Sequence, residues 1–213
     1  TDEHGTVYEA GGDDESLVTI EESGPLRAVI AAQGWFVADG VRTGKYIVRI
    51  YAYRGESALR VFNTFVVTRP TKGLRYRNIV LESRLTSAGG ALFGIADSAA
   101  VSATEPHAYL VQESYDRLRV VENRGAGERE LATAQRSAGW MRSGNVSVAV
   151  RDLWQNFPKE FEVTPNRLAI HFWPGHGEAA LRTGERLNAR NAYQCWFAHE
   201  GKLLDFKAPD EVV

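Results

Sequence analysis

Apolar and polar residues alternate along much of this chain with a period of two, and this pattern restricts the possible folds more than any other feature. The alternation is strongest in Lys45–Arg54 (KYIVRIYAYR) and Ala58–Val67 (ALRVFNTFVV). Both segments are rich in the β-branched and aromatic residues that pack well on a pleated sheet. The short connection Gly55–Ser57 predicts a tight turn, so the two segments are expected to form a β-hairpin.

The alternation recurs between clusters of Gly, Pro, Ser and Asn, which are typical of turns. It predicts further strands at Ser16–Ser23, Leu26–Gly34, Leu74–Thr86, Ala91–Ala96, His107–Glu113, Leu118–Glu122, Asn145–Leu153, Glu160–Thr164 and Arg167–Trp173. Roughly a dozen strands with very little helix predict an all-β chain. The expected fold is a large antiparallel β-sandwich, supersandwich-like, in which two sheets pack face to face.

Two segments carry a weaker signal. Gly127–Ser137 is polar on all sides, which favours a turn or a short helix over a strand. Arg190–His199 (RNAYQCWFAH) fits either a short helix or a strand, and its periodicity does not decide between them.

Composition and charge exclude several classes of function. No apolar run approaches the roughly 20 residues of a membrane span, so no membrane partner is expected. The formal net charge of −2 argues against nucleic-acid binding, which needs a strongly basic face. Residues 1–15 are acidic and without periodicity, so we interpret them as a linker or entry segment. Residues 16–213 are then expected to form one domain excised from a larger multidomain protein.

The densest group of aromatic and polar side chains lies in Val150–Pro174. Trp154 offers a ring that can stack on the C–H face of a pyranose, while Gln155 and Asn156 offer donors and acceptors for its hydroxyls. Lys159 could neutralise a uronate carboxylate or, with a pKa lowered by burial, abstract a proton. The alternative is structural: Asn156 satisfies turn backbone groups, Trp154 fills the core and Lys159 is solvated.

Three further residues are candidates for the same groove. Strand alternation predicts that His171 and Trp173 share one face, and an imidazole there is a candidate general base beside a substrate-binding indole. Trp35 lies at a predicted strand end and is a third aromatic candidate. For each of the three, packing in the core or at its rim is the competing interpretation.

The sequence lacks the motifs of metal sites, nucleophilic catalysis and phosphate binding. H-x-x-x-H, CxxC and EF-hand spacings are absent, so no metal site is expected. The chain also lacks a G-x-S-x-G nucleophile elbow and a glycine-rich phosphate loop between a strand and a helix. We therefore expect no cofactor.

Three segments in order carry a resemblance to a known family: GPLRAVIAAQGWF, KYIVRIYAYRGESALRVFNTFVV and LWQNFPKEFEVTPNRLAIHFWP. Together they resemble the exo-rhamnogalacturonan lyase-like proteins, over most of the chain from about residue 16. The resemblance implies a parent protein with an N-terminal small β-barrel, a central β-sandwich and a C-terminal α/α toroid. This chain resembles the central sandwich, and the flanking domains are its expected partners.

The resemblance also implies a function. In related polysaccharide lyases a base removes the C5 proton of a uronate while a cation or amide neutralises the carboxylate. The chain is then expected to form one wall of a cleft for an acidic polysaccharide or oligosaccharide, and to be inactive in isolation. A non-catalytic carbohydrate-binding or architectural sandwich is the alternative. A secreted or periplasmic parent is favoured, with the cytoplasm left open.

Overall fold

The computed structural model describes residues 1–2, 4–68, 76–85, 89–125, 127–144 and 146–176, and the backbone alone of 192–199. These residues are almost entirely in strands, and the strand pairs resolved among them are antiparallel. The predicted all-β sandwich with very little helix is therefore confirmed. Within these ranges no helix is long and apolar enough to cross a membrane. The chain separates into two compact units, of which the first contains Thr1–Arg77 and the second begins at Asn78.

The first unit is built on one antiparallel sheet. Its strands are β1 (Leu17–Ser23), β2 (Arg27–Ala38), β3 (Val41–Tyr53) and β4 (Ala58–Val66), which pair in sequence order, with β15 (Ala192–His199) beside β4. The predicted hairpin is β3–β4. Gly55 in its turn has a φ of 82°, a conformation that glycine adopts without a Cβ clash.

Part of the segment interpreted as a linker packs against this sheet. Ala10–Gly12 forms a 3₁₀-helix. The next residue, Asp13, is buried, and its carboxylate accepts the backbone N–H of Trp35 at 2.8 Å and a hydrogen bond from Arg42 at 3.2 Å. The buried carboxylate therefore ties this segment to β2 and β3.

The second unit contains two antiparallel sheets. Its strands are β5 (Ile79–Arg84), β6 (Ala91–Ile95), β7 (Val101–Ala103), β8 (Ala108–Ser114), β9 (Arg117–Asn123), β10 (Glu128–Ala134), β11 (Ser137–Ser143), β12 (Val146–Val150), β13 (Lys159–Thr164) and β14 (Arg167–Trp173). One sheet has the order β12-β11-β6-β7. The other is six-stranded, with the order β10-β9-β8-β13-β14-β5. The six-stranded sheet carries most of the candidate site.

The core of the second unit is largely apolar, and a buried glutamine cross-links its two sheets. Phe93, Met141 and Phe161 are each 0% exposed. Gln112 of β8 is equally buried and joins the two sheets, because its Oε1 accepts the backbone N–H of Ser137 in β11 at 2.8 Å. Its amide nitrogen also donates to backbone carbonyl oxygens, so both the oxygen and the nitrogen of this buried amide are hydrogen-bonded.

Two sequence interpretations change. The prediction of a turn or short helix at Gly127–Ser137 is wrong, because Glu128–Ala134 is strand β10. This strand ends the six-stranded sheet and pairs with β9 alone, so it needs no apolar face to form. The segment left open near the C-terminus contains strand β15. Parts of two predicted strands, residues 74–75, 86 and 145, lie outside the described residues.

Candidate functional site

Strands β13 and β14 place the predicted catalytic residues on opposite faces of the six-stranded sheet. Glu160 lies directly opposite His171, and Glu162 lies opposite Ala169. Since side chains alternate along a strand, Glu160, Glu162 and His171 share one face and Lys159 points to the other. The two residues predicted to carry the chemistry are therefore not brought together.

Lys159 is buried, with 4% of its surface exposed. Its Nζ donates to the backbone oxygen of Phe172 at 2.9 Å and to that of Pro158 at 3.1 Å. Burial lowers the pKa of Lys159 to about 7, because desolvation disfavours the ammonium form. The lowered pKa that the general-base hypothesis requires is present, at a position enclosed by protein. Catalysis by Lys159 stays a prediction.

The opposite face holds a group of five side chains, which we call the carboxylate–histidine cluster. Its members are His107, Glu160, Glu162, His171 and His176. Two carboxylates and three imidazoles thus meet where the sequence predicted a single histidine.

Glu162 is the centre of this cluster. Its Oε1 lies 3.0 Å from His107 Nε2, and its Oε2 lies 3.1 Å from His171 Nε2. Arg167 donates to the same Oε2 at 2.7 Å. Burial by itself would raise the pKa of Glu162, but hydrogen bonding and charge from His171, followed by the charge of Arg167, hold the pKa at about 2. Glu162 is therefore an ionised carboxylate at neutral pH.

Glu160 holds the segment that follows β14. It is 0% exposed. Its carboxylate accepts two hydrogen bonds from His176, one from the backbone N–H at 2.9 Å and one from ring Nδ1 at 2.8 Å. Tyr109 of β8 stacks on the His176 ring, with centroids 4.2 Å apart and planes inclined by 11°. The pKa of His176 is raised: burial lowers it, but the hydrogen bond and charge of Glu160 outweigh burial.

Two overlapping triplets in this cluster have the donor groups and spacing of a metal site. In each, one ligand atom per residue lies within 4.8 Å of the other two: His107, Glu162 and His176 form one, and Glu160, Glu162 and His171 form the other. The first triplet is partly exposed, whereas the second is buried.

A second surface lies in the loop of residues 151–158. Trp154 is half-buried, and the guanidinium of Arg136 lies 4.3 Å from its ring centroid, a cation–π arrangement. Gln155 beside it is exposed. Asn156 donates to the backbone oxygen of Asp152 through its own N–H at 3.0 Å and through Nδ2 at 2.9 Å, which is the turn-stabilising role of the structural alternative.

The other two tryptophans are placed differently. Trp173 is 5% exposed, and its indole Nε1 is buried without a hydrogen-bond partner among the described residues. A bulge between His171 and Trp173 interrupts the alternation that was expected to align them. Trp35 belongs to the first unit, where Lys45 Nζ lies 4.5 Å from its ring centroid. Their roles in substrate binding stay predictions.

Sequence reasoning missed four members of the carboxylate–histidine cluster and the arginine beside Trp154. The spacing of Glu160 and Glu162 in KEFEVT is a signal that could have placed both on one face, because residues two apart on a strand point the same way. His107 and His176 carry no such signal, because they approach Glu162 from segments far away in sequence. Arg136 likewise comes from the connection between β10 and β11.

Comparison with known proteins gives a family match. Residues 9–75 match the PcRGLX-like protein central beta sandwich domain. This sandwich-domain match confirms the resemblance over the first two of the three segments, and its range contains strands β1 to β4. The third segment, residues 153–174, lies outside the matched range. No curated protein matches the chain. The carboxylate–histidine cluster and the Arg136–Trp154 pair lie outside the matched residues.

Proposed function

We propose that this chain is the central β-sandwich of a polysaccharide-lyase-like protein and forms part of the binding cleft for an acidic, uronate-containing glycan. β-Elimination would be carried out by the full-length protein, with flanking domains completing the cleft. The sandwich-domain match over residues 9–75 supports the family context. The observation that carries the glycan proposal is the Arg136–Trp154 pair.

This pair combines the two groups that an acidic sugar requires. The part of the half-buried Trp154 ring that Arg136 leaves uncovered would provide an apolar surface for the C–H face of a pyranose. Arg136 is exposed and carries a planar guanidinium that suits a carboxylate, so it would neutralise the uronate. Gln155 and Arg151 are also exposed in the same loop and would bind hydroxyl or carboxylate oxygens.

A second candidate, a sandwich that binds or positions without catalysing, is favoured by one specific observation. Lys159 and His171 are only 4% and 3% exposed, so neither reaches a substrate without movement of the protein around it. Under this candidate function the Arg136–Trp154 pair still binds glycan, whereas Lys159 and His171 have a structural role.

A binding experiment tests the glycan proposal. The 213-residue chain is titrated by calorimetry with rhamnogalacturonan oligosaccharides, which contain uronate, and with a neutral oligosaccharide of the same length. We expect binding of the acidic ligand alone. W154A and R136Q should each weaken it at least tenfold, about 1.4 kcal/mol. Y115A is the matched control, because Tyr115 is an aromatic residue 59% exposed in the turn between β8 and β9.

Equal affinity for the acidic and neutral ligands, or unchanged binding by W154A and R136Q, would contradict the proposal. A lyase assay that follows the absorbance of unsaturated uronate separates the two candidates further. The 213-residue chain is expected to show no turnover, and robust turnover by it alone would disprove a catalytic set shared with other domains.

A further inference from the structure

We propose that His107, Glu162 and His176 form a binding site for a divalent transition-metal ion of the zinc class. One ligand atom from each of the three lies within 4.8 Å of the other two. Two imidazoles and one carboxylate are a donor set with which zinc is held by three protein ligands, leaving a fourth position open. Calcium and magnesium prefer sets made of oxygen atoms, so they fit these donors poorly.

The spacing of His107 and Glu162 is close to what such an ion needs. In a tetrahedral site with bonds of about 2.0–2.1 Å, neighbouring ligand atoms are about 3.3 Å apart. His107 Nε2 and Glu162 Oε1 are 3.0 Å apart. Opening this pair by a few tenths of an ångström would admit the ion. For this pair the present hydrogen bond and the metal-bound arrangement differ by a small side-chain movement. The ligand atom of His176 lies within 4.8 Å of both.

Neighbouring groups fix the orientation of two of the three ligands, Glu162 and His176. Arg167 and His171 contact Oε2 of Glu162, which leaves Oε1 for the ion. Glu160 accepts from Nδ1 of His176, so the Nε2 lone pair of that ring is available for coordination. A carboxylate behind a ligating histidine is the common outer partner in metal sites, and it raises the basicity of the ligand. Stacking by Tyr109 fixes the plane of the same ring.

The three ligands come from separate parts of the second unit. His107 precedes β8, Glu162 lies in β13 and His176 follows β14. The side chains of His107 and His176 keep 31% and 28% of their surface exposed, so an ion can enter from solvent. Once bound, it would tether the segment after β14 to the strands beneath it. This proposal departs from the sequence expectation of no metal site, and it does not depend on the proposed glycan function.

Zinc titration of the complete 213-residue chain tests the proposal. The chain is freed of any purification tag, stripped of metal with a chelator and titrated with ZnCl₂ by calorimetry. We expect one ion per chain with a Kd in the micromolar range or below. Binding to the folded state alone should raise the unfolding temperature. Loading with Co²⁺ should give visible absorption bands of a low-coordinate nitrogen and oxygen site.

Variants locate the ion. H107Q should weaken zinc binding at least tenfold, and because His107 lies at the surface this variant is expected to fold. E162Q should abolish binding. H4Q is the matched control, since His4 is exposed in the first unit and should leave the affinity unchanged. Circular dichroism confirms the fold of each variant, and if E162Q does not fold, H107Q alone decides the result.

Three results would overturn the proposal. The first is the absence of zinc binding below millimolar concentration in the unmodified chain. The second is equal affinity in H107Q and the unmodified chain. The third is binding of Mg²⁺ as tightly as Zn²⁺, which would point to a general anionic cluster and not to a zinc-class site.

Discussion

Replacing Lys159 with methionine should remove a pH dependence of stability that the chain owes to one buried amine. Folding moves this amine to a site where burial lowers its pKa from 10.5 to about 7. Between these two values the unfolded chain binds more protons than the folded chain. The free energy of unfolding of the unmodified protein should therefore rise with pH in this range.

The two pKa values set the size of the effect. Their difference of 3.5 units corresponds to at most about 5 kcal/mol at 1.36 kcal/mol per unit. Between pH 7 and pH 9 the linkage relation gives a gain of about 2 kcal/mol for the unmodified chain. Methionine has a similar length and cannot titrate, so the K159M variant should lack this gain. At pH 7 the variant also escapes the desolvation penalty, while it loses the two hydrogen bonds from Nζ.

Urea unfolding followed by circular dichroism at pH 6, 7, 8 and 9 measures the effect. The stability of the unmodified chain relative to K159M should rise steadily across the series. K45M is the matched control, because Lys45 is an exposed lysine and the same substitution there should give a profile parallel to that of the unmodified chain. Parallel profiles for K159M and the unmodified chain would refute the reasoning, because they would mean that the amine stays charged and hydrated after folding.

Two further stability predictions follow from the second unit. Burial would raise the pKa of Glu122, but backbone hydrogen bonds from Thr104 and Glu105 and a hydrogen bond from Arg124 hold it at about 2. Because this pKa is lowered, the stabilisation is present above about pH 4.5 and is lost as pH falls toward 2. Between pH 5 and pH 3 the urea midpoint of E122Q should therefore fall less than that of the unmodified chain. Equal falls in the two proteins would contradict this prediction. Phe161→Ala should cost about 3–5 kcal/mol in the same assay because the ring is fully buried, whereas a loss below about 1 kcal/mol would mean that the core closes around the cavity.

The fold followed from the sequence wherever alternation was long and apolar on at least one face. The β3–β4 hairpin and the strands β8, β13 and β14 all carry this pattern. Strand β7 has three residues, too few to show a period. Strand β11 contains Gly139 with a φ of 80°, and its pairing with β6 is irregular. Such a strand is recognised from its partners and not from its own residues.

The candidate site was less accessible to sequence reasoning because it depends on register. The sequence identified Trp154 and the face of His171, but not which residues lie opposite them. The position of Glu160 across from His171 follows from the β13–β14 register, and the contact of His107 with Glu162 joins residues 55 positions apart. Arg136 reaches Trp154 from a different segment, the connection between β10 and β11. Spacing rules for metal and catalytic motifs detect ligands within one segment, and here each ligand comes from a different one.

The charged outer strand β10 also bears on how this protein behaves at high concentration. The last strand of a sheet presents unpaired backbone groups on which another chain can assemble. Glu128, Arg129 and Glu130 are exposed on β10, and its pairing with β9 shifts between Glu130 and Ala132. The alternating charges and the irregular register make this edge strand a poor template for pairing with a second copy of the chain. The segment that looked too polar to be a strand therefore also protects this edge of the six-stranded sheet against edge-to-edge aggregation.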